Sequence, residues 1–215
     1  DQSYFLCCLN QNQLDKTLFP IGKLYKKDVR ELAKEAGLIT HNKKDSTGIC
    51  FIGEQPFRNF LSSFIKSEKG LIKTVDGKPI GEHDGAFFYT LGQRQGLGIG
   101  GVKNATDAPW YIVKKNTDDN ELIVAQDHDH PFLHSKNLTV LNINWVSEEM
   151  PPLPLMCKAK CRYRQSDQKC TVYAGENNDF IVKFEFSQRA ITPGQYIVFY
   201  NKNECLGGGI IDSTY

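Results

Sequence analysis

A change of hydrophobic period at Gly70 constrains the fold of this chain more than any other feature. Upstream, Val29, Leu32, Ala33 and Ala36 recur at helical spacing, and so do Phe57, Phe60, Leu61, Phe64 and Ile65. Residues spaced in this way share one face of a helix. Downstream, the apolar residues fall into short alternating runs separated by Gly, Asp and Asn, which is the pattern of half-buried strands. The chain therefore reads as a mixed α/β segment followed by two mainly-β regions.

The first helix is predicted over 27–36, with Gly37 as a left-handed stop. A second starts at Pro56, a residue suited to the first helical position. Its five-residue apolar stripe is expected to be core. Residues 1–53 offer too few strands to close a sheet alone and read as the end of a larger α/β domain. Strands are predicted over 71–75, 86–91, 110–114 and 121–125, with hairpin signals at Asp76-Gly77 and Asp118-Asp119-Asn120. From Leu138 alternation resumes, through 180–186, 196–200 and 205–211, with Gly207-Gly208-Gly209 as a bulge or bend. About six strands there suggest a small barrel. The division is 1–53, 54–133 with a helix and a small central β domain, and 134–215 with a C-terminal β-barrel.

Several function classes are excluded early. The formal charge is only +1, so an RNA surface must be a local patch. Lys158, Lys160, Arg162 and Arg164 supply one if they share a strand face, since such a stripe can follow a phosphate backbone. No apolar run approaches the ~20 residues that span a bilayer, and no secretory leader is expected. Seven cysteines would leave one over from a disulfide framework. Reduced cytoplasmic thiols fit better. No metal site is expected. Cys157 and Cys161 lack a second close pair. Asp127-His128-Asp129-His130 is a consecutive run whose side chains alternate in an extended chain, so it reads as a connector.

Chemistry concentrates at Lys43-Lys44-Asp45-Ser46-Thr47-Gly48-Ile49-Cys50-Phe51-Ile52-Gly53. Nearby cations stabilise a thiolate, the reactive form of cysteine. Gly48 and Gly53 would let the segment move between partners. The competing reading buries Cys50 between Ile49 and Phe51 as a small core residue. The loop from Gly92 to Gly101, with Arg94 and Lys103, either meets a ligand or is a plain long loop. No helix follows it, so dinucleotide-loop logic does not transfer.

Several blocks resemble one family. They are Asp1-Gln2-Ser3-Tyr4-Phe5-Leu6, the run from Asp45 to Glu54, the run from Thr90 to Gly101, Arg162-Tyr163-Arg164-Gln165, Thr192-Pro193-Gly194-Gln195 and Cys205-Leu206-Gly207-Gly208-Gly209. Together they look like bacterial tRNA-specific 2-thiouridylases of the MnmA type, from one end of the chain almost to the other. The resemblance implies that Cys50 carries sulfur as a persulfide, received from a sulfur-relay donor protein. It implies tRNA contacts at Asp1, Gln2, Arg162, Tyr163 and Gln195. The expected substrate is the wobble uridine of tRNAs for lysine, glutamate and glutamine. An ATP-pyrophosphatase loop and a second cysteine are implied in an upstream portion that this sequence does not contain. ATP, with Mg, would bind there. The chain opens at Asp1 without a methionine, so it is expected to be a fragment, inactive alone.

Two other readings stand beside this one. A non-enzymatic RNA-binding β-barrel module would explain the basic stripe and leave Cys50 incidental. A redox protein would use Cys7-Cys8 or Cys50, although Cys7-Cys8 lacks the CxxC spacing that tunes thiol acidity. Tyr163 would point away from Arg162 in a regular strand, so joint action requires a bulge or a strand end there.

Overall fold

The structure is a computed structural model. It describes residues 3–44, 57–66, 68–102 and 105–215, with 57 and 58 described through their backbone only. The chain divides into two units, Asn12–Lys66 and the combination of Asp1–Gln11 with Ser67–Tyr215.

The opening helices are α1 (Ser3–Leu6) and α2 (Gln11–Leu14). In the smaller unit, α3 spans Lys26–Glu35, as its apolar spacing predicts. Asp28 lies in its first turn and Lys34 in its last, each complementing the helix dipole. The stop is the predicted one. Gly37 adopts φ 68°, its N–H reaches Lys34 O, and the Leu38 N–H reaches Ala33 O. This is the Schellman arrangement, which needs a left-handed residue after the helix.

α4 (Phe57–Ser62) is shorter than its stripe requires. Turn bonds from Phe64 N–H and Ile65 N–H to Leu61 O follow it. Phe64 is 72% exposed and Ile65 is also exposed, so this end of the stripe is not the core that was expected. The helix ends before its register can bring these two onto one buried face.

The central module is a four-stranded sheet made of β1 (Gly70–Thr74), β2 (Pro79–His83), β3 (Trp110–Asn116) and β4 (Glu121–Gln126). Their order is β2-β1-β4-β3. Two antiparallel hairpins meet through parallel pairing of β1 with β4. Both predicted turn signals lie at the hairpin tips, with Gly77 at φ 80° and Asn120 at φ 51°. β2 escaped the sequence reading because Pro79, Gly81, Glu82 and His83 hide any alternation. As an edge strand it tolerates proline at its first position.

The strand expected over 86–91 is instead a 3₁₀ turn at Ala86–Phe88. Side chains have already taken its leading donors. Gly85 N–H goes to His83 Nδ1 and Ala86 N–H to Asn120 Oδ1, so neither is free for a ladder. Ile72, Ile112, Leu122 and Val124 are fully buried beneath this turn with Ala86, Tyr89 and Leu97.

The C-terminal module is a closed barrel of six strands in the order β10-β5-β8-β7-β6-β9. They are β5 (His134–Trp145), β6 (Leu155–Lys160), β7 (Gln168–Ala174), β8 (Phe180–Arg189), β9 (Tyr196–Asn201) and β10 (Glu204–Thr214). Closure removes exposed strand edges. Leu138, Val140, Val172, Val182, Ile197, Phe199 and Ile211 are fully buried inside.

The triple glycine in β10 is a bulged segment, with register shifts on both sides. A Cβ at Gly207 would stand 2.1 Å from Asn144 O, and one at Gly208 would stand 2.8 Å from Cys7 Sγ. Only glycine allows both approaches. The second approach seats the N-terminal segment on the barrel. Cys7 is buried against Val198 and Tyr200, and Asn144 Nδ2 donates to Cys7 O and Leu9 O.

Candidate nucleic-acid interface

The basic stripe does not form as expected. β6 stops at Lys160, because the Gln165 side chain accepts from Cys161 N–H while Gln165 N–H bonds Arg162 O. These bonds turn the chain at 161–165. Lys158 and Lys160 both face Asp167, at 3.6 and 3.5 Å, so their charges are partly neutralised. Lys160 also lies 5.2 Å from the Tyr200 ring centroid.

The same turn lets Arg162 and Tyr163 serve one site. Arg162 Nη2 donates to Ala190 O at 2.8 Å and to Leu91 O at 3.3 Å. Arginine carries five N–H donors, so this anchor occupies only part of its capacity. Tyr163 stacks at a tilt on Phe5 with centroids 4.6 Å apart, and it lies 6.1 Å from Tyr4. Gln195 enters on the turn before β9, where Gly194 N–H and Gln195 O pair with Ile211.

Arg162, Tyr163 and Gln195 thus line one cavity of about 460 Å³ with Tyr4, Phe5, Cys7, Cys8 and Tyr196. Burial pushes the Tyr4 hydroxyl up to about 12. Burial beside Cys8 pushes the Cys7 thiol up to about 12, so both stay neutral at physiological pH. The hydrogen bond with Cys8 raises Tyr196. The cavity therefore offers aromatic faces, a guanidinium and an amide. Such a set holds a planar, hydrogen-bonding ring beside an anion.

Of the residues expected at the site, Asp1, Gln2 and Cys50 lie outside the described residues, as does Lys103 of the glycine loop. Sequence reasoning missed Tyr4, Phe5 and Tyr196 as lining residues. The adjacent aromatic pair in the opening block was their only signal. The loop from Gly92 surrounds a separate cavity of about 440 Å³, lined by Arg94, Gly96, Gly98 and Trp110 among others. Among the described residues no helix begins there to present N–H groups to a nucleotide phosphate. His128 Nδ1 lies 2.9 Å from its neighbour Asp129, and His130 Nδ1 caps the 3₁₀ turn Pro131–Leu133 by accepting from Phe132 N–H.

The chain thus combines a short sheet with a parallel seam, a closed six-stranded barrel and an aromatic–arginine cavity. Three family models match in succession: a tRNA methyl transferase HUP domain over 1–54, a tRNA methyl transferase PRC-barrel domain over 58–126, and an aminomethyltransferase beta-barrel domain over 135–211. The tRNA-specific 2-thiouridylase MnmA of Legionella pneumophila strain Philadelphia 1 is 55% identical over 212 residues, which cover 99% of this chain and 59% of that protein. The enzyme of the same name from Coxiella burnetii strain RSA 493 gives the same figures. That of Marinomonas sp. strain MWYL1 is 52% identical over 215 residues, covering 100% of this chain and 55% of its own length. The chain belongs to the MnmA-type tRNA-specific 2-thiouridylase family, and it spans somewhat over half the length of these relatives.

Proposed function

We propose that this chain is the tRNA-holding and sulfur-carrying part of a tRNA-uridine 2-sulfurtransferase. The observation that carries the reading is the convergence of the adjacent Arg162 and Tyr163 with Gln195, from a later turn, on one cavity walled by Tyr4 and Phe5 from near the start of the sequence. Family membership supports a transferase acting in tRNA processing. The substrate is the wobble uridine of tRNAs for lysine, glutamate and glutamine. Base-modifying enzymes take their target out of the stack, and aromatic faces then hold unstacked bases at about 1–3 kcal/mol each. Asp1 and Gln2 complete the tRNA contacts.

The uracil carbonyl oxygen is a poor leaving group. ATP, bound with Mg by residues upstream of this chain, supplies its activation by adenylation. Cys50 carries the terminal sulfur as a persulfide, accepted from a sulfur-relay protein. A persulfide releases its outer sulfur while its inner sulfur passes into a disulfide with a second cysteine. The domain division is 1–53, 54–133 and 134–215. The setting is the cytoplasm, where thiols stay reduced. The six described cysteines are all free.

Two measurements test this. Arg162→Ala should weaken tRNA binding roughly tenfold or more and reduce the slope of binding against salt. Incubation with a persulfide donor should add one sulfur mass at Cys50 and none in Cys50→Ser. Unchanged tRNA affinity in Arg162→Ala together with no sulfur at Cys50 would end the proposal. Lost affinity without sulfur loading would favour a non-enzymatic RNA-binding module.

A further inference from the structure

Cys157 and Cys170 are a pair that the thiolation reading does not use. They stand directly opposite each other on the antiparallel strands β6 and β7, with Sγ atoms 3.7 Å apart. Cβ atoms of directly opposed residues lie about 4.5–5.5 Å apart, and a disulfide asks for about 3.5–4.5 Å. A small strand adjustment closes the Cβ gap, and side-chain rotation then brings the Sγ atoms from 3.7 Å to bonding distance.

The two thiols differ in ways that suit sequential chemistry. Cys157 is half-buried, whereas Cys170 is only 6% exposed. The hydrogen bond with Cys170 holds the Cys157 thiol below its ordinary value, against the effect of burial. The same bond, with burial, pushes Cys170 up. A surface cavity of about 500 Å³ is lined by both cysteines together with Lys169, Lys183 and Glu185. Lys169 pairs with Glu185 there at 3.3 Å, which leaves Lys183 as the cation for a carboxylate of an anionic small disulfide.

We propose that Cys157 and Cys170 form a redox modification site, closed by exchange with a small-molecule disulfide of the glutathione class. Cys157 thiolate attacks one sulfur of oxidised glutathione, forming a mixed disulfide and releasing one glutathione thiolate. Cys170 then attacks Cys157 Sγ, its proton passing to the glutathione thiolate that leaves, so that the protein disulfide forms and the second glutathione departs as a thiol. The two protein thiols give up two electrons and two protons, and glutathione disulfide takes them as it becomes two thiols. The bond would staple β6 to β7 just before the turn that carries Arg162 and Tyr163.

The test is to incubate the protein with oxidised glutathione, alkylate residual thiols in denaturant and map the peptides by mass spectrometry. A peptide pair linked through Cys157 and Cys170, lighter by two hydrogens than the reduced pair, is the expected product. Cys170→Ala should retain glutathione on Cys157, and Cys157→Ser should leave Cys170 alkylated. Recovery of both wild-type cysteines as alkylated peptides would overturn the proposal, and so would a link from Cys170 to Cys161. The wild-type cross-link needs no variant, so misfolding of Cys170→Ala would leave the test standing.

Discussion

The central sheet and the barrel are both small and mainly β, yet they are held in different ways. The barrel closes on itself and fills with apolar side chains, including Phe199 stacked 5.9 Å from Trp145. The sheet stays open, and polar side chains fasten its parts. His83 joins Gly85 N–H to Asn120 O. Asn120 joins Ala86 N–H to Glu68 O. Lys73 pairs with Glu121 across the parallel seam. The barrel pairs most of its backbone through its own ladder, whereas this open sheet uses side chains for several backbone groups at its turns.

The largest break should come from the barrel interior. Phe199→Ala should cost about 3–5 kcal/mol, because the cavity it leaves collapses only partly. Urea unfolding should register this, with hydrogen exchange rising along β9 more than along β1.

Next comes the pin of the sheet. Asn120→Ala removes two hydrogen bonds to backbone and puts a Cβ-bearing residue without a turn-forming amide at φ 51°. A loss of about 1–3 kcal/mol is expected, read as faster exchange in β1 and β4. Asn120→Gly, which accepts that φ, should lose less, and the difference isolates the backbone part.

A pH change should separate the modules by a smaller amount. Burial lowers the His83 pKa from its unfolded value of about 6.5. Below that value the unfolded chain binds more protons than the folded one, so stability falls as pH falls. Above it the contribution is constant. Protonation also removes the Nδ1 acceptor used by Gly85 N–H. Between about pH 7.5 and about pH 5.5 the sheet amides should lose protection before those of the barrel. His83→Gln should flatten that dependence.

The smallest effect belongs to the barrel surface. Lys169→Ala breaks a 3.3 Å pair with Glu185, both exposed, and should shift the urea midpoint by less than about 1 kcal/mol equivalent.

Alternation made the barrel legible because its strands are buried on one side, and a period of two follows from that. Helix α3 and its Gly37 stop were legible for the same local reason. β2 was not, because an edge strand rich in glycine and charge has little pattern to read. The segment 86–91 was misread as a strand because its competitors for hydrogen bonds, His83 and Asn120, act from elsewhere. In the cavity, Arg162 came from the cationic spacing as well as from resemblance, Tyr163 and Gln195 came from resemblance, and Tyr4 and Phe5 came only from the docking of the N-terminal segment.

The amino-acid order by itself determined periods, stops and turns, since each depends on neighbours within a few residues. It also determined that four cations are spaced two apart from Lys158 to Arg164. Only the tertiary structure decided that they do not form one stripe. Gln165 caps the strand end, Asp167 claims two of the lysines, and the carbonyls of Leu91 and Ala190 aim Arg162. Those two carbonyls lie 71 and 28 residues away in sequence, a separation that no local pattern encodes.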